Sequence, residues 1–165
     1  MMRILVYGAG VLGCTLARDF FKVGKDVTLL ARGKWAETIK TNGLCIKNYV
    51  LPMKSTVRVP VVTELASEDE YDVIFVAARY TQVATILDAL RANKSKNVVF
   101  LGNNVQPEKL VTALPEKNVM FAFASSAGHR EQDRIVSVDL KKITIGQLRG
   151  VQSNEQLIQK IFART

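Results

Sequence analysis

The sequence predicts an α/β fold, doubly wound around a mainly parallel sheet with helices on both faces. Three observations predict it. Short apolar runs alternate with segments of helical spacing, the order that feeds parallel strands through helical crossovers. The runs at Ile4–Tyr7, Val27–Ala31, Tyr71–Ala77, Asn97–Leu101 and Val119–Ala124 are largely apolar without alternation, as strands buried on both faces are. Finally, the glycine pattern Gly8-x-Gly10-x-x-Gly13 stands between the first such run and the first helical one.

Taken in order, the strand Ile4–Tyr7 enters the glycine turn, and a helix runs from Val11 to about Val23, with Gly24 as its C-cap. After the strand Val27–Ala31, Trp35 to Thr41 reads as a short helix stopped by Asn42-Gly43. Leu44–Lys47 and Thr56–Val59 read as two short strands joined by a loop containing Pro52. Pro60 lacks a ladder donor, so the second strand ends there or lies at an edge. Glu68-Asp69-Glu70 is a solvated turn before the strand Tyr71–Ala77. Val83, Ile86, Leu87 and Leu90 give Thr81–Arg91 a helical period. The strand Asn97–Leu101, a proline-opened helix Pro107–Leu114 and the strand Val119–Ala124 follow. Ile135–Val138 and Ile143–Ile145 suggest an antiparallel pair at the far edge of the sheet. Ser153 caps a last helix, with Glu155 and Gln156 in its first turn and Leu157, Ile158, Ile161 and Phe162 on one face. At 165 residues with no linker or repeat, one domain is expected.

The strand, glycine turn and helix form the opening of a Rossmann-type dinucleotide site. Gly8 permits the tight turn, Gly10 lets the backbone approach a diphosphate, and Gly13 allows close helix–strand packing. The cofactor-binding stretch is therefore Gly8, Ala9, Gly10, Val11, Leu12 and Gly13, its N–H groups facing the anion at a helix N-terminus. About 20 residues on, where an NAD site carries Asp or Glu for the ribose hydroxyl, this chain has Arg32-Gly33-Lys34. A guanidinium binds a 2′-phosphate bidentately, and no carboxylate stands nearby to repel it. NADP(H) is the expected cofactor; the competing reading makes Arg32 a solvated strand-end residue.

Composition narrows the remaining classes. The net charge of +8 comes from 23 Lys and Arg against 15 Asp and Glu, scattered without a basic run or interleaved aromatics. Such an excess suits an anionic cofactor and an acidic substrate, so no nucleic-acid partner is expected. No apolar run approaches the roughly 20 residues of a membrane span, and the N-terminus leads into the glycine motif rather than a cleavage site. Cys14 and Cys45 have no metal-ligand or CxxC spacing and read as buried thiols, so a cytoplasmic location with no metal and no membrane partner is expected. His129, the single histidine, reads as a loop residue before an edge strand, and Ser125 and Ser126 have no partner base in the sequence.

With these segments placed, nearly the whole chain resembles the N-terminal domain of the ketopantoate reductase (2-dehydropantoate 2-reductase) family. The glycine motif alone fits many dehydrogenases. The resemblance becomes specific through Leu30-Ala31-Arg32-Gly33, Asp72–Arg79, Leu101-Gly102-Asn103-Asn104, Ala124–Gly128 and Ile143-Thr144-Ile145-Gly146, all in order. It implies NADPH-dependent reduction of a small 2-oxoacid, ketopantoate to pantoate on the route to pantothenate. It implies that Arg32 binds the 2′-phosphate and that Arg79 and Asn103 lie near the nicotinamide and substrate. A turn role for Asn103-Asn104 is the other reading of that pair. Two departures bear on the substrate: Arg79 stands where the family has lysine, and Asn104 where it has glycine. Family members continue into a helical domain with the catalytic lysine and a substrate-binding glutamate, so this chain is expected to supply the cofactor domain and to be nearly inactive alone. The alternative is a non-catalytic NADP(H)-binding module acting by association. A homodimer through the C-terminal helix is expected if the apolar face of that helix lies exposed.

Overall fold

The computed structural model describes residues 2–104, 106–148 and 154–163. Nine strands form one sheet in the order β4-β3-β9-β8-β7-β6-β1-β2-β5. The parallel centre consists of β1 (Arg3–Tyr7), β2 (Asp26–Leu30), β5 (Val61–Val62), β6 (Val73–Val76), β7 (Asn97–Leu101) and the first half of β8 (Asn118–Arg130). Around it pack α1 (Val11–Lys22), α2 (Gly33–Asn42), α3 (Tyr80–Val83), α4 (Leu87–Ala92), α5 (Pro107–Ala113) and α6 (Glu155–Phe162).

Alternation along β1 explains the double winding. Ile4 and Val6 join one buried cluster with Cys14 and Phe20 of α1, Trp35 of α2 and Ile161 of α6. Leu5 and Tyr7 join a second cluster on the other face, with Val83, Leu90 and Leu110 from α3, α4 and α5. Because both faces are covered, every β6 residue is buried, and the strand carries no polar alternation. Phe20, Phe75 and Phe162 meet with ring centres 5.5–6.3 Å apart and fasten α6 over α1 and the sheet.

Several elements differ from the sequence reading. Ile135–Val138 and Ile143–Ile145 belong to one strand, β9 (Ile135–Gly146), which pairs antiparallel with β8 and not with itself. Nor is it the edge. Beyond β9 lie β3 (Leu44–Asn48), parallel to it, and β4 (Lys54–Val57), antiparallel to β3. The lysines at 141 and 142 fall where the β8–β9 register shifts, between the pairs Ala124↔Ile143 and Ser126↔Asp139, and the strand continues across them. Strand β8 is twice its expected length and carries His129 at its end, so His129 is a strand residue and not a loop residue. The helix expected over Thr81–Arg91 divides into α3, a 3₁₀ turn (Ala84–Ile86) and α4. Tyr71 and Ala77 lie outside β6, and the two-residue β5 follows Pro60. The expected cap Ser153 lies outside the described residues; the α6 face bearing Leu157, Ile158, Ile161 and Phe162 packs on the chain's own core.

Candidate functional site

The parallel register puts the C-terminal ends of β2, β1, β6 and β7 side by side. Neighbouring strands are about 4.8 Å apart, so the loops leaving them gather along roughly 15 Å of sheet edge. The chain leaves β1 toward β2 on one side and returns beside β1 as β6 on the other. Such a reversal of strand order opens the crevice in which α/β proteins hold ligands.

The turn from Gly8 to Gly13 occupies that crevice. Gly8 has φ +113°, and a Cβ there would lie 2.7 Å from the carbonyl oxygen of Ala77. A Cβ on Gly13 would meet the Gly8 carbonyl oxygen at 1.9 Å. These two glycines therefore serve close approach within the protein itself. Gly10 differs: a Cβ on it would meet nothing within 4 Å. Gly10 is also the N-cap of α1, whose first turn has no side-chain cap and no acidic residue. The first amides of the helix have no intrahelical acceptor, and the macrodipole makes this end electropositive. The Gly8 N–H donates to the Leu30 carbonyl (3.1 Å) and the Ala77 N–H to the Tyr7 carbonyl (2.8 Å), which ties the turn to β2 and to the exit of β6.

Arg32 is exposed at the N-cap of α2, two residues after the end of β2. Its guanidinium lies 5.6 Å from the centre of the Tyr7 ring and donates to the Tyr7 hydroxyl. Trp35, in the first turn of α2, donates its indole N–H to the Ala9 carbonyl at 2.9 Å, clamping the glycine turn against this helix. Cys14 is buried beneath Trp35, and burial pushes its thiol up to about 12, against a smaller downward pull from the Trp35 hydrogen bond. That thiol is inert.

Arg79 is exposed at the N-cap of α3, where its N–H donates to the Gln82 side-chain oxygen (3.4 Å) and its carbonyl accepts from the Gln82 N–H (2.8 Å). Asn103 is exposed just beyond β7 and lines a cleft of about 500 Å³ with Gly102, Asn104, Phe123 and Thr144. Gly102 has φ +101°, and the Asn104 amide closes the turn on the Gly102 carbonyl at 3.1 Å. Asn104 thus makes a turn bond, while Asn103 is among the residues that line the cleft. No titratable side chain lines that cleft among the described residues. His129 is six residues farther along β8 than Phe123, roughly 20 Å at the rise of a strand, with its ring 3.6 Å from Glu131.

Tyr7, Trp35 and Arg130 frame this site, and the sequence reading passed over all three. Tyr7 looked like one more core residue of a buried strand, and no spacing rule links Trp35 to a backbone carbonyl 26 positions earlier. The described residues contain no cluster of metal-ligating side chains and no helix long and apolar enough to cross a membrane.

The sequence model of ketopantoate reductase PanE/ApbA matches residues 4–150. A 2-dehydropantoate 2-reductase of Pyrococcus horikoshii is 37% identical over 62 residues, 36% of this chain and 21% of that protein. The uncharacterized oxidoreductase YkpB of Bacillus subtilis is 27% identical over 123 residues, covering 72% of this chain and 39% of its own length. Among solved structures, a probable 2-dehydropantoate 2-reductase of Bacillus subtilis superposes with a TM-score of 0.84 at 16% identity, over 98% of this chain and 54% of that one. The chain spans about half the length of that solved structure and less of the two curated relatives. With its matched segments running from the first strand past the last, this chain belongs to the ketopantoate reductase PanE/ApbA family.

Proposed function

We propose that the chain is the NADP(H)-binding part of a 2-oxoacid reductase, acting on ketopantoate or a close analogue. One observation carries this reading: the uncapped, acid-free N-terminus of α1 opens at Gly10 onto free space, with Arg32 beside it at the end of β2. Those residues fit a dinucleotide. The α1 amides would receive the diphosphate, and Arg32 would take the 2′-phosphate through its planar donor fork. Arg79 and Asn103 would line the nicotinamide end, Asn103 offering both donor and acceptor to an oxoacid. The bound cofactor would supply the hydride. The chain's own residues bind and orient it, and the cationic Arg79 would favour the negative charge that builds on the reduced carbonyl oxygen.

Calorimetric titration with NADPH and with NADH, on wild type and Arg32→Ala, tests the reading. The expected result is a preference for NADPH of about tenfold or more, some 1.4 kcal/mol, that disappears in the variant. Equal affinities in the wild type would refute the role of Arg32. Tight NADPH binding without oxoacid turnover, even in the full-length protein, would favour a non-catalytic binding module.

A further inference from the structure

Strand β8 is longer than the sheet core requires. Its pairing with β7 ends at Leu101↔Ala122, yet it runs on through an irregularity between Ala124 and Ser126 to Arg130. There Arg130 pairs with Ile135, the β9 residue that lies against Ile46 of β3. The extension thus carries Arg130 to the far end of the ladder, where its guanidinium rests 5.5 Å from the centre of the Trp35 ring. That same indole is bonded to the Ala9 carbonyl in the glycine turn.

The electrostatic setting of Arg130 matches that of Arg32. Each is exposed, each lies over an aromatic ring attached to the glycine turn, and neither has a carboxylate partner among the described residues. The nearby acids are engaged elsewhere: Glu131 and Asp133 both bind Arg134, at 3.3 and 2.7 Å. A guanidinium stacked on a ring face keeps its in-plane N–H donors available for a phosphate. Arg130 also lies close enough to Cys14, in the first turn of α1, to act on its thiol electrostatically.

We propose that Arg130, held over Trp35 by the β8–β9 extension, is a second phosphate-binding cation of the cofactor site. The inference rests on the dinucleotide reading above and adds to it a residue delivered from the opposite end of the chain. Its ligand is a phosphate of the adenosine half of the cofactor, either the diphosphate or the 2′-phosphate. The test is titration of NADPH and NADH into wild type, Arg130→Ala, Arg130→Lys, Arg130→Glu and Arg32→Ala, at low and high salt. Loss of one charge-assisted contact weakens binding by about tenfold, so Arg130→Ala is expected to bind about tenfold more weakly with a shallower salt dependence. Arg130→Glu should be weaker still, and Arg130→Lys should recover part of the loss. Weakening for NADPH alone assigns the contact to the 2′-phosphate, and weakening for both assigns it to the diphosphate; either supports the proposal. Unchanged affinities in Arg130→Ala and Arg130→Glu, with Arg32→Ala still losing its preference, would overturn the proposal and leave the cofactor reading standing. A wild type that binds neither nucleotide would overturn both. Because Arg130 is exposed, the variants should keep the wild-type melting temperature, which separates lost binding from lost structure.

Discussion

Three glycines that look alike in sequence do different work. Gly13 is a packing glycine: with its Cβ position 1.9 Å from the Gly8 carbonyl oxygen, Gly13→Ala must push α1 away from the turn. A cost of about 3 kcal/mol is expected, read as a fall of roughly 10 °C in melting temperature. Gly10→Ala meets nothing in the protein and should melt within about 2 °C of wild type while losing NADPH affinity by tenfold or more in calorimetry. A Gly10→Ala protein that binds normally would show that the turn faces no ligand. Cys14 gives a prediction in pH. Its thiol, near 9 when unfolded, is pushed up to about 12 by burial, so the unfolded chain releases that proton first as pH rises. The stability from keeping the thiol neutral is complete below about pH 9 and is lost progressively toward pH 12. Urea unfolding across that window should show a shallower alkaline decline in Cys14→Ala than in wild type.

At the scale of elements, the long β8–β9 ladder has the largest consequence. It wraps the sheet past α1 and reaches β3 through Ile135, which is fully buried. Ile135→Ala should cost about 3 kcal/mol by equilibrium unfolding, and by loosening the extension should also weaken nucleotide binding through Arg130. Helix α6 shows how an apolar face finds its partner. Its four apolar residues pack on α1 and the sheet, so the exposed stripe that would have implied a second copy is absent among the described residues. Phe162→Ala removes one of three interlocking rings and is expected to cost about 2 kcal/mol. The measured midpoint in urea would check it.

For the whole molecule, part of the positive charge is neutralised in ion pairs and part is not. Arg18, Arg91 and Arg134 are each paired with an aspartate, whereas Arg32, Arg79 and Arg130 carry no carboxylate partner among the described residues. Those three stand near the crevice edge, where an anionic cofactor would benefit from them.

How much of this was legible beforehand follows from the range of each interaction. The glycine turn, the buried strands and the helices that follow them are written in local patterns, because a turn geometry or a two-sided burial constrains residues only a few positions apart. Gly8, Gly13 and Arg32 could be assigned structural places on that basis, whereas Asn103 and Arg79 were singled out only through the family resemblance. Only the folded chain could decide that two apolar patches flanking Lys141 and Lys142 are one strand, since both pair with the same β8 on either side of a register shift. It alone could also bring Tyr7, Trp35 and Arg130 around one loop. Those contacts span 25 to 95 positions of sequence, and nothing at either end of such a contact alters the local pattern that a reader of the sequence can see.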